Sequence, residues 1–252
     1  MPHLRKFPKE FSELLSPRGL RVLSGDARED CGLFNNSTNY FVNFPNLIKG
    51  EAVDDCIGLL DKHLYPFLAI EQRKIPPESI TKMKVNYEER LSKAMHIKTA
   101  FFRRRDARSY RAAERIGLLD FMNSESFVVF AETVTGFRLK REWSVQVTCY
   151  EHGDYAGPHN DHHPEQNSIK DGFIDVHVMF ANKAVDHHYL VYEQKGHFSK
   201  IVDINNRGGV SVYKLPFWHY TTPLAGKRGR EKDARRWLLL GTFDIDRSPV
   251  RV

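Results

Sequence analysis

Cysteine is scarce in this chain. Three residues in 252, Cys31, Cys56 and Cys149, stand far apart and never as Cys-x-x-Cys. That argues against a disulfide framework or a structural zinc site and makes a reducing, cytoplasmic setting the expectation. Long apolar runs are missing as well. No stretch approaches the roughly 20 residues needed to span a bilayer. The N-terminal Met1-Pro-His-Leu-Arg-Lys-Phe-Pro-Lys-Glu has charges but no apolar segment of the secretory kind, so no membrane association is expected. Internal repeats, low-complexity tracts and nucleic-acid-binding motifs are also absent, which narrows the choice to an ordinary globular domain.

What is there is a 41% hydrophobic, 12% aromatic chain with a net charge of +6. The positive excess is uneven. Arg103, Arg104, Arg105, Arg108, Arg111 and Arg115 form one patch, and Lys227, Arg228, Arg230, Lys232, Arg235 and Arg236 form another. Such patches attract anionic partners. A solvated helix face is the simpler account of the first, and without a recognition motif nucleic acid is not the expected partner.

The chain changes period at its middle. Residues 1–38 are polar, with Pro2, Pro8 and Pro17, and read as an N-terminal arm with a short helix near 10–15. A strand is expected at 39–44. A helix follows at 50–64, because Val53, Cys56, Ile57, Leu60 and Leu64 fall on one stripe. Further helices are expected from Pro76-Pro77 to about 95, at 106–121, and at 127–133, the last capped by Ser124 or Ser126 and stopped at Gly136. From Trp143 onward the pattern is short alternating strands at 143–150, 172–180, 189–192, 198–203, 210–215 and 237–243, separated by turn residues. Strands so spaced suggest an antiparallel barrel or jelly roll. Helices first and strands second make the fold class α+β, one domain over 39–252 with a helical layer at about 50–136 packed on a barrel core at about 143–246.

The chemistry concentrates between Val145 and His163. Val145, Val147 and Cys149 alternate with Gln146, Thr148 and Tyr150, and the strand then breaks at Gly153 and Gly157-Pro158. Beyond the break stand His159 and Asp161. On extended chain, residues two apart point to the same side, so both can reach one metal ion. A second histidine would complete a two-histidine, one-carboxylate facial triad of the Fe(II) type. His219, at the end of the strand pattern that begins at Gly209, lies far enough along for the chain to travel round a barrel and return. His187, His188 and His197 come too soon, in turn-like segments. His152-Gly153-Asp154 shares the spacing but sits where the strand must turn. His162 and His163 stay unassigned, either facing the site or on the surface.

In order, Tyr150-x-x-Gly153-Asp154, His159-x-Asp161, Trp218-His219-x-x-x-Pro223 and Arg236-Trp-Leu-Leu-Leu-Gly-Thr-Phe243 resemble the Fe(II)/2-oxoglutarate-dependent dioxygenases, the prolyl hydroxylase branch above all. The resemblance covers about 39–246 and is strongest from Trp143 onward. It implies a double-stranded β-helix (a jelly-roll, cupin-like barrel) with an N-terminal helical layer. It implies that His159, Asp161 and His219 bind Fe(II), that Arg236 holds the distal carboxylate of 2-oxoglutarate, and that Tyr150 faces that co-substrate. A guanidinium suits the task because it grips a carboxylate bidentately and stays charged.

The chain also departs from the family. The interval from His219 to Arg236 is longer than usual, so 225–234 reads as an inserted loop and Arg228 is the alternative anchor by counting. Leu238 stands where a hydroxyl residue often assists the carboxylate, and His187-His188 where two glycines are common. The implied reaction consumes 2-oxoglutarate and O2, releases succinate and CO2, and hydroxylates a C–H bond, with ascorbate as the assay reductant. Expected substrates are an amino-acid, peptidyl (including prolyl) or small-metabolite group. A cupin-type metal barrel without 2-oxoglutarate and a non-catalytic basic binding module are the other readings; Arg236 argues against the first.

Overall fold

The computed structural model describes residues 5–35, 38–74, 94–161 and 172–247. Its strands are β1 Phe41–Phe44, β2 Ala69–Arg73, β3 Met95–Phe101, β4 Leu139–Glu151, β5 Tyr155–Ala156, β6 Phe173–Ala181 and β7 Val185–His187. They continue as β8 Tyr189–Gln194, β9 His197–Asp203, β10 Arg207–Leu215, β11 His219–Thr221, β12 Ala225–Gly226 and β13 Arg235–Ile245. Antiparallel pairing gives a large sheet ordered β1-β10-β6-β13-β4-β3-β2, with β5 beside β3, and a small sheet ordered β11-β8-β9; β12 pairs with β7. The two sheets enclose a cavity between them, a double-stranded β-helix, as the family resemblance implied and in keeping with the jelly roll that the strand spacing suggested.

Alternation assigns each large-sheet strand two faces. Val147 and Cys149 of β4, Ile174, Val176 and Val178 of β6, Val210 and Val212 of β10, and Trp237 and Leu239 of β13 are buried on the helix side. The opposite positions, among them Gln146, Thr148 and Tyr150 of β4, line the cavity. Register locks the arrangement, with Arg236 opposite Tyr150 on one side and Ala181 on the other. A slip of one residue would exchange the faces.

The helical layer consists of α1 Pro17–Leu23, α2 Gly50–His63, α3 Arg108–Arg115, α4 Leu118–Met122 and α5 Glu125–Thr135. On α2 the stripe Val53, Cys56, Ile57 and Leu60 is buried, as its period requires. Against β13, α5 packs so closely that a Cβ on Gly241 would stand 2.5 Å from Phe127 Cε1, so only glycine fits there. The helix expected at 106–121 is two helices, because Gly117 adopts φ +76 and any Cβ there would meet the Phe7 carbonyl oxygen at 2.9 Å. Ser124 stands at the start of α5 without a side-chain cap; its Oγ donates to the Phe121 carbonyl and accepts from Phe11 N–H instead.

Two further differences concern the first half. The N-terminal segment, expected as an arm, contributes Phe7, Phe11, Leu14, Leu15 and Val22 to the main core. Phe11 meets the rings of Phe121, Phe127 and Phe130 at 5.7, 5.3 and 5.3 Å, and Ser16 caps α1 by accepting from Gly19 N–H. A mainly polar composition concealed these few apolar anchors. The helix expected from Pro76 lies almost entirely outside the described residues, but its expected end, Met95, begins β3 instead. No helix among the described residues is long and apolar enough to cross a membrane.

Candidate active site

The chain brings His159, Asp161 and His219 together. His159 follows the Gly157-Pro158 break and pairs with the start of β11: His159 N–H donates to the His219 carbonyl at 3.0 Å, and His219 N–H returns the bond at 2.8 Å. The rings lie 4.2 Å apart, and the ligand atoms of all three residues lie within 4.8 Å of one another. Asp161 Oδ2 is 3.3 Å from His159 Nε2 and 3.5 Å from His219 Nε2. Asp161 achieves this with φ 54, a left-handed conformation that aspartate tolerates better than most residues and that clusters at functional sites.

The tautomers follow from the second set of contacts. His159 Nδ1 is 2.6 Å from the Gly157 carbonyl, and His219 Nδ1 is 2.8 Å from the Phe217 carbonyl. A carbonyl accepts only, so each Nδ1 carries the proton and each Nε2 carries the lone pair on the side of Asp161. Two imidazoles and one carboxylate so oriented fit an Fe(II) ion with open positions. His152 is exposed and accepts from Gly226 N–H at 3.1 Å; Asp154 accepts from Glu151 N–H and meets His96 at 2.6 Å. That pair belongs to the turn at Gly153.

Arg236 is 1% exposed and enters the same cavity from β13. Its Nε donates to the Ile204 carbonyl at 2.9 Å and its Nη2 to Met179 Sδ at 2.8 Å, while Nη1 stands 3.4 Å from His188 Nδ1. It forms no salt bridge among the described residues. Burial pulls the guanidinium down to about 10, with Tyr150, Tyr213 and Asp203 acting in the opposite sense. A buried cation without a countercharge is costly to the fold. Arg228, by contrast, is exposed on the turn before Glu231–Asp233. The second basic patch therefore divides, with Lys227, Arg228 and Arg230 at the surface and Arg236 inside.

Tyr150 lies beside Arg236, the guanidinium carbon 5.8 Å from its ring centroid. Burial raises its hydroxyl to about 12, against the Arg236 charge and a Thr221 hydrogen bond that lower it, so it is a neutral donor. Leu190, Ile204 and Leu238 complete this end with apolar surface. The whole cavity measures about 1210 Å³, and Arg103 and Arg105 of the first basic patch line it. His162 and His163 lie outside the described residues.

Several residues here were not expected to line the site, His188 having been considered only as a competing metal ligand. His188 is fully buried against Arg236, 4.8 Å ring to ring from Tyr150. Burial, then the Arg236 charge, hold it well below the ordinary histidine range, so it is neutral. Tyr213, Asp175 and His177 also line the cavity. Only their alternation within otherwise apolar strands marked them.

No family model and no curated protein matches the sequence. Solved structures do match. A prolyl hydroxylase from Trichoplax adhaerens, in complex with a hypoxia inducible factor oxygen degradation domain peptide, is 15% identical, with 91% of this chain and 94% of that one covered at a TM-score of 0.51. An oxidoreductase of the 2OG-Fe(II) oxygenase family from Burkholderia pseudomallei is 12% identical, covering 90% and 89% at a TM-score of 0.51. At these identities the likeness is one of architecture: the chain has the double-stranded β-helix fold of the prolyl hydroxylase and 2OG-Fe(II) oxygenase structures.

Proposed function

We propose that the protein is a non-haem Fe(II)/2-oxoglutarate-dependent oxygenase that hydroxylates a C–H bond of an amino-acid, peptidyl or small-metabolite substrate. One observation carries the reading: the His159–Asp161–His219 cluster shares one cavity with a buried Arg236 that has no acidic partner among the described residues. A cupin-type metal site would need the first and have no use for the second. A basic binding module would need neither.

In this reading the three side chains would hold the iron. Carbonyl contacts at both Nδ1 atoms fix the imidazoles, and Asp161 offsets part of the ion's charge. Arg236 binds the distal carboxylate of 2-oxoglutarate, Tyr150 donates from its neutral hydroxyl, and Leu190, Ile204 and Leu238 keep water from that end. His188, held neutral, accepts from Arg236 and orients its fork. Iron, 2-oxoglutarate and O2 supply the oxidation itself, yielding succinate, CO2 and the hydroxylated product.

The test is succinate formation from 2-oxoglutarate with Fe(II), ascorbate and O2. The wild type is expected to form it, and Asp161→Ala to lose about a hundredfold or more. Turnover that survives Asp161→Ala and His159→Ala would reject the proposed ligands. The three free cysteines fit a reducing, cytoplasmic setting.

A further inference from the structure

The cavity has a second polar end, supplied by β6. Alternation sends Ile174, Val176 and Val178 into the helix-side core and sends Asp175 and His177 into the cavity that also holds His159, Asp161, His219 and Arg236. Asp175 is 9% exposed, and among the described residues its Oδ1 has no hydrogen-bond partner; neither has His177 Nε2. The two do not satisfy each other, because His177 Nε2 stands 3.8 Å from Asp175 Oδ2, beyond hydrogen-bond reach. Among the described residues no lysine or arginine pairs with Asp175. Nor is the strand a frayed edge: β6 is hydrogen-bonded to β10 on one side and β13 on the other. A buried carboxylate oxygen without a donor is costly and rare in native folds, and inside a ligand cavity its natural complement is a donor on the ligand.

That ligand is not the molecule held by Arg236. Arg236 lies opposite Ala181, and Thr242 of the same strand lies opposite Asp175. Six residues along β6 separate the two levels, about 20 Å between Cα positions, and a five-carbon dicarboxylate carries only acceptors, so it cannot supply the donor that Asp175 lacks. The metal cluster is nearer. Tyr213, the register partner of Asp175 on β10, places its ring 4.3 Å from the His177 ring and 5.7 Å from the His219 ring. A molecule anchored at Asp175 therefore extends past one aromatic ring to reach the His219 side of the cluster. An ionised carboxylate accepts and never donates, so the group it receives must be a donor, and a cationic donor gives the stronger, charge-assisted bond.

We propose that Asp175, with His177 beside it, receives an ammonium or guanidinium group of the oxidised substrate and so selects a basic amino acid or a peptide that carries one. The assignment rests on the oxygenase reading for calling this ligand the substrate. Binding is measured without turnover, so the two fail separately.

The experiment is calorimetric titration of the full-length protein, loaded with redox-inert Mn(II) and 2-oxoglutarate, with L-arginine and L-lysine and with their uncharged counterparts L-citrulline and L-norleucine. At least one cation is expected to bind about tenfold or more tightly than its counterpart. Asp175→Asn is expected to abolish that preference, and Asp175→Glu to retain part of it. Equal affinity for charged and uncharged members, no binding by either cation, or a preference that survives Asp175→Asn would overturn the proposal. Should Asp175→Asn fail to fold, the wild-type ratio decides alone.

Discussion

Arg235 and Arg236 are consecutive residues on one strand, and they occupy opposite faces of the large sheet with opposite electrostatics. Arg235, on the helix side, reaches Glu151 at 3.2 Å and Asp61 at 3.4 Å and lies 4.2 Å over the Tyr65 ring. Lys98 joins the same network through Glu151 and Tyr65, and Trp237 Nε1 donates to Asp61 at 2.9 Å. Arg236, on the cavity side, has a carbonyl, a thioether and a neutral imidazole as partners and, among the described residues, no anion. One face of the sheet is complete within the protein. The other leaves a buried cation with no acidic partner among the described residues, and that difference separates residues that hold the fold from residues proposed to hold a ligand.

The comparison can be broken first at its extremes. Trp237→Ala, on the completed face, removes a fully buried ring from the main core and should cost about 3–5 kcal/mol, read as a lower denaturant midpoint. A cost under about 1 kcal/mol would mean the helix-side face is not the stabilising one.

The arginines themselves come next, with opposite signs expected. Arg235→Met leaves Glu151 and Asp61 short of a cation and should destabilise by about 1–3 kcal/mol. Arg236→Met should do the reverse. Burial depresses its folded-state pKa to about 10, so at neutral pH, below both the folded and unfolded values, the charged form carries its full penalty. That penalty is up to about 3 kcal/mol. Replacing it should raise the melting temperature of the ligand-free protein, a gain of stability at the expense of binding. A lower melting temperature for Arg236→Met would contradict the account of that pocket.

The smallest effect concerns His188. Its folded pKa is depressed, so below about 6.5 the unfolded chain binds a proton that the folded one refuses. Stability should therefore fall with pH below that value, by at most about 1.4 kcal/mol per pH unit from this residue. His188→Asn should show a shallower loss between neutral and mildly acid pH in a series of thermal melts. An unchanged slope would indicate that His188 titrates normally.

These contrasts also explain what was legible in the sequence. Alternation exposed β4, β10 and β13, because each has one wet face and one dry face. The turn glycines placed the break before His159, and order along the chain suggested His219 as its partner. Asp175 and His177 were not legible, because β6 lies between two strands and reads as an apolar run in which two polar residues resemble exceptions. Gly117 was read within a helix because composition cannot report that the Phe7 carbonyl lies against it. Met95 and Ile97 of β3 look helical or extended alike in so short a stretch; pairing with β2 decides. The buried contacts of Phe7 and Phe11 with Phe121 and Phe127 are tertiary, and no local pattern encodes them. Between Arg236 and Arg228, sequence spacing alone left a choice, whereas burial distinguishes a cavity residue from a surface one.

The most direct measurement is anaerobic titration of the Fe(II)-loaded protein with 2-oxoglutarate, comparing wild type with Arg236→Met, Arg235→Met and Arg228→Ala. The account predicts binding to the wild type, a loss of about a hundredfold in affinity in Arg236→Met (a charge-assisted bidentate contact left unmade), and affinity within about twofold of wild type in Arg228→Ala and in Arg235→Met provided it remains folded. Wild-type affinity in Arg236→Met, or a loss confined to Arg228→Ala, would contradict it.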